Sequence, residues 1–180
     1  PGAPGATNGE REFTGNANAP IGVTPVTLGK ALVGTSLGYT GGAGLAIGEI
    51  ATFHITATIP EGTTPQLTIT DELPNLMTVV GTPTVVSTGS GMTIADITGS
   101  PSINVTGDVV TFNFGQVINP VGNNSPTPQT IVVEVQGRLL DDAAPYSNNN
   151  GETLTNRASV NFGTGTDGTA EATVDVVEPL

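Results

Sequence analysis

Apolar and polar residues alternate one for one along most of this chain, in short runs cut off by clusters of Gly, Pro and Asn. That period of two is the signature of a strand with one face buried and one face wet, and it excludes a helical reading of the same windows. Val26, Leu28, Lys30 and Leu32 share one parity, and Ala51, Phe53, Ile55, Ala57 and Ile59 form a second run ending at Pro60-Glu61-Gly62. Leu67, Ile69, Asp71 and Leu73 form a third, stopped at Pro74. Shorter strands are expected at 82–86, 92–94 and 103–105, followed by one through Val110, Phe112 and Phe114 and one through Ile131, Val133, Val135 and Leu139. Leu154, Asn156, Ala158, Val160 and Phe162 then precede a last run of Ala170, Ala172, Val174 and Val176. Strands of this length, each with a single apolar face and separated by turn residues, predict an all-β fold. The arrangement expected is an immunoglobulin-like antiparallel Greek-key sandwich.

The boundaries follow from where the rhythm begins. Residues 1–23 have no periodicity and read as a linker or a donor-strand arm, one that contact with a neighbouring subunit would order. Residues 24–180 read as one sandwich domain. The start at Pro1, with no basic, apolar and small-residue zones behind it, reads as a processed product or a fragment.

Composition narrows the function. Four cations against sixteen anions give a net charge of −12, which argues against nucleic acid or an anionic membrane surface as partner. No apolar run reaches the ~20 residues of a membrane-spanning helix. Without Cys there is no disulfide or thiol chemistry, and a single His leaves no His-pair metal site. An enzyme acting on outside substrates is not expected.

Three polar residues nevertheless fall on faces that should be buried. Lys30, the only lysine of the chain, lies in phase with Val26, Leu28 and Leu32; Asp71 is in phase with Leu67, Ile69 and Leu73; Asn156 is in phase with Leu154, Ala158 and Val160. Each alone has a plain explanation in a strand edge, an Asx-turn or a shifted register, and Asp71 could cap the turn at Leu73-Pro74. Together they suggest chemistry. Burial favours a neutral Lys30 amine and a protonated Asp71, so the amine can attack the Asn156 carboxamide while Asp71 shuttles protons. The product is a Lys–Asn isopeptide bond and ammonia.

At these residues the sequence also resembles a known family. Leu28-Gly29-Lys30, Gly48-Glu49 opening a strand, Ile69-Thr70-Asp71-Glu72-Leu73-Pro74, and Leu154-Thr155-Asn156-Arg157-Ala158-Ser159-Val160 follow in the order found in bacterial surface repeats. These are the fimbrial isopeptide-formation D2 domains and the related DUF11 repeats, and the likeness covers about residues 24–178. It implies an immunoglobulin-like domain of an extracellular pilus, fibre or giant adhesin, partnered by copies of itself or by neighbouring repeats. The lysine, late-strand asparagine and assisting acid of that family fall on Lys30, Asn156 and Asp71, with Glu49 as the reserve acid. Two assembly modes stay open, tandem linkage and donation of the N-terminal strand to a neighbour.

Other positions are weighed beside this cluster. Asp141, Asp142 and Asp167 are loop carboxylates that could hold Ca²⁺, although no cofactor is required and their spacing matches no calcium loop. His54, in phase with Thr52 and Thr56, is expected on the outer surface. The alternative function is an adhesive module for a sugar, ice or a host protein.

Overall fold

The computed structural model describes residues 24–38, 40–94, 101–120, 129–141, 148–163 and 168–178. The arm 1–23 and the loop residues Asp142 and Asp167 lie outside the described residues. Eleven strands follow in chain order: β1 (Thr27–Thr35), β2 (Gly44–Ala46), β3 (Ile50–Ile59), β4 (Gly62–Glu72), β5 (Met77–Thr88), β6 (Thr93–Ile94), β7 (Ser102–Thr106), β8 (Val109–Asn119), β9 (Gln129–Leu139), β10 (Thr153–Asn161) and β11 (Gly168–Val177). None of the described residues forms a helix, so none is long and apolar enough to cross a membrane.

The strands form two layers. One sheet has the order β1-β3-β9-β5, and the other β2-β11-β10-β4-β8-β6, with β7 also paired to β8. The inward parities read from the sequence meet between them. Phe53 and Ile55 of β3 and Ile131, Val133 and Val135 of β9 close one side; Leu67 and Ile69 of β4, Phe112 and Phe114 of β8 and Val160 of β10 close the other, all wholly or almost wholly buried. Their transfer from water, at about 25 cal/mol per Å² of apolar area, is the main force holding the layers together.

Three departures from the simple alternation have local causes. The expected run ending at Phe114 extends to Asn119, because Gly115, at φ 61°, carries a bulge that switches the inward parity from Phe114 to Val117. In β5 the ladder slips between Val80 and Thr84 and again between Val85 and Ser87, so the strand is longer than its regular part at 82–86 suggests. The strand β2 has no alternation to announce it. Its three residues are all buried and pair in parallel with Asp175–Val177 of β11, which makes the second sheet mixed rather than purely antiparallel.

Candidate functional site

Lys30, Asp71 and Asn156 converge between the sheets. Lys30 leaves β1 at the edge of the four-stranded sheet, opposite Ile55 of β3. Its main chain is partly exposed, as an edge strand's must be, while the side chain itself is 0% exposed. Asp71 comes from β4 of the facing sheet, where it sits opposite Ala158 of β10 and Val110 of β8. Asn156 lies two residues before Ala158, on the same inward face, which makes it the diagonal neighbour of Asp71. Its own opposite number on β11 is Ala172. Small alanines at these two cross-strand positions leave room for the polar side chains that larger residues would fill.

One carboxylate holds both partners. The Lys30 ammonium donates to Oδ1 of Asp71, and Nδ2 of Asn156 donates to Oδ2 at 3.4 Å. Lys30 Nζ also stands 5.3 Å from the centre of the Phe53 ring, so one wall of the site is aromatic. The remaining carboxamide atom, Oδ1 of Asn156, is buried and has no hydrogen-bond partner among the described residues.

The electrostatics of the site follow from its dryness. Burial pushes the Lys30 amine below its ordinary value, against the pull of the Asp71 charge. Burial likewise pushes the Asp71 carboxyl up, against the Lys30 charge and the hydrogen bonds from Lys30 and Asn156. Desolvation outweighs attraction for both groups, so each is shifted toward its uncharged form. That is the protonation state in which an amine is a nucleophile and a carboxyl can deliver a proton.

The carboxamide turns its nitrogen, not its oxygen, toward Asp71. The acid is therefore placed to protonate the departing nitrogen. Activation of the Asn156 carbonyl by the same acid needs a half-turn of the amide about its Cβ–Cγ bond.

Glu49, the reserve acid, has other work. Its Oε1 accepts from the main-chain N–H of Leu37 at 2.9 Å and from the Thr40 hydroxyl at 3.0 Å, and its Oε2 accepts from the N–H of Ala46 at 2.9 Å. This buried carboxylate is a clip that ties the 36–48 loop and β2 to the start of β3. Sequence parity marks Glu49 as inward but gives no sign of these partners, because two are main-chain N–H groups and one a hydroxyl of an aperiodic loop.

Asp141 lies two positions after the end of β9, and among the described residues no group of three or more His, Asp or Glu side chains is arranged to hold a metal ion. His54 does face outward, but it is only about a third exposed and lies 3.0 Å from Glu134 of β9. That register neighbour is 80 positions away in sequence, which is why the sequence shows only a lone surface histidine.

A two-layer immunoglobulin-like sandwich with a polar cluster stapling one layer to the other defines the class. Solved structures of the same fold include BcpA, the major pilin subunit of Bacillus cereus, at 17% identity and a TM-score of 0.53 over 86% of this chain and 40% of that one. They also include the pilus backbone protein RrgB of Streptococcus pneumoniae, at 14% identity and a TM-score of 0.55 over 80% of this chain and 33% of that one. The likeness is one of fold, and the chain spans well under half the length of either. No family model and no curated protein matches the sequence.

Proposed function

We propose that the chain is a structural building block of an extracellular bacterial fibre, stabilised by an isopeptide bond that Lys30 and Asn156 form with Asp71 as proton carrier. The observation that carries this reading is the shared carboxylate: the chain's sole lysine and a late-strand asparagine meet on one acid in a dry interior. The pilin folds of the similar structures support the fibre setting, and the D2 and DUF11 likeness rests on the sequence motifs. Partners in this reading are neighbouring copies or repeats, at the cell surface.

The reaction balances within the site. The Nζ lone pair of Lys30 attacks Cγ of Asn156, forming the new C–N bond. Asp71 takes a proton from Nζ and gives one to Nδ2, the old Cγ–Nδ2 bond breaks, and ammonia leaves. Asp71 ends as it began. The turnover is single and needs no cofactor.

The bond would join β1 of one sheet to β10 of the other, across 126 positions of chain. Closing a loop of that size disfavours the unfolded state by about 5 kcal/mol on the chain-entropy argument.

Intact-mass measurement tests the proposal. The protein is expected to be lighter than its sequence by one ammonia, and Lys30→Ala, Asp71→Ala and Asn156→Ala are each expected at their full sequence mass. A wild-type chain at full mass after prolonged incubation would remove the bond.

A further inference from the structure

Most sheet margins of this protein are protected. At the edge of the four-stranded sheet, β1 carries a bulge between Leu32 and Gly34, and at the other edge β5 is twice broken by irregular register and contains Pro83. In the second sheet β2 has three residues, all buried, and β6 has two. Bulges, proline and brevity are the usual means of keeping an edge from pairing with another chain.

β7 has none of these. Ser102-Ile103-Asn104-Val105-Thr106 is a regular five-residue strand with no charge, proline, glycine or bulge. One edge pairs with β8, and among the described residues nothing pairs with the other. Its inward parity continues that of Phe112 and Val110 on β8, which are fully buried, yet Ile103 and Val105 are 37% and 44% exposed among the described residues.

We infer that β7 is a self-association surface, pairing antiparallel with β7 of a second copy so that the larger sheet runs on from one molecule into the other. The strand is complementary to itself. An antiparallel pair centred on Asn104 sets Ile103 against Val105 of the other copy, twice, on the uncovered apolar face. On the opposite face it sets Ser102 against Thr106 and Asn104 against its own counterpart.

Charge confines a second copy to this strand. Two chains of net charge −12 repel over most of their surfaces. Here they approach along an uncharged strand backed by an uncharged row, since Asn104, Thr111, Thr70, Ser159 and Thr169 stand side by side from β7 to β11. The inference does not depend on the fibre reading or on the isopeptide bond.

The test uses the full 180-residue chain. Sedimentation velocity over a concentration series is expected to show a reversible monomer–dimer equilibrium. Val105→Lys, which puts a cation where Ile103 of the other copy should sit, is expected to weaken the dimer at least about tenfold with its thermal midpoint unchanged. The absence of Cys supplies a second readout. Asn104→Cys places two thiols opposite each other at the centre of the pair, and mild oxidation is expected to link them as a dimer. Thr111→Cys, one strand inland, is expected to stay monomeric. A wild-type chain monomeric at every concentration, a dimer indifferent to Val105→Lys, or equal oxidation of the two cysteine variants would each overturn the inference.

Discussion

Lys30 and Asp71 are costly residues wherever the bond between Lys30 and Asn156 is prevented. In an Asn156→Ala chain both remain buried and titratable. The Asp71 carboxyl is raised, so its contribution to stability is fully present below the ordinary aspartate value and is lost as pH rises through the raised one. The Lys30 amine is lowered, so its contribution is fully present above the ordinary lysine value and is lost as pH falls through the lowered one. Stability of that chain is therefore expected to be lowest between the two shifted values, a minimum visible in urea unfolding across pH. Adding Lys30→Met and Asp71→Leu together should flatten the minimum and leave the chain as stable or up to about 4 kcal/mol more stable at its lowest point. Adding Asp71→Ala alone strands a buried cation and should cost about 3–5 kcal/mol. The three cluster residues were legible in the sequence because a strand's parity declares which side chain faces inward. Their meeting was expected from the cost of burying three polar groups and from the family likeness, since parity itself is silent on which strands lie opposite one another.

At the scale of elements, the clip at Glu49 sets the course of a loop that the sequence leaves undefined. Glu49→Ala removes three hydrogen bonds to a buried carboxylate and is expected to destabilise by on the order of 3 kcal/mol in denaturant titration. The same variant should still lose ammonia. Retention of full mass by Glu49→Ala, with Asp71→Ala unaffected, would transfer the acid's role to Glu49. A second element-scale prediction concerns β9. A Cβ on Gly137 would lie 2.9 Å from Cε of Met77 and 3.0 Å from Cδ1 of Leu73, so Gly137→Ala is expected to cost about 1–3 kcal/mol by overpacking. Parity marked Glu49 as inward without its partners, the alternating pattern gave no sign of the packing at Gly137, and β2 escaped it altogether. Three residues held by a parallel partner some 130 positions later are too few to establish a period.

For the whole molecule, the position of the proposed bond decides how the domain meets a pull. The long runs of strand pattern made the two-layer architecture readable in advance, and they already placed Asn156 in the run before the last. In the fold the proposed link likewise falls one strand short of the end: Asn156 is on β10, and β11 lies beyond it. A tether drawn from both ends would load the start of β1 and then β11, while residues 31–155 stay shielded behind the covalent loop. Single-molecule stretching is expected to peel β11 and stop, releasing only the short segments outside the loop. Lys30→Ala should extend through the whole sandwich in the same measurement.

Sealing the sole lysine inside the protein leaves its exterior without a single side-chain amine. Reducing sugars and simple aldehydes, which age most exposed proteins by condensing with lysine, find no lysine amine on the folded surface, and the exposed Arg157 and half-buried His54 are left as the slower targets of dicarbonyls and lipid-peroxidation products. A fibre clad in such domains would weather chemically far more slowly than one dressed in ordinary lysine-bearing domains.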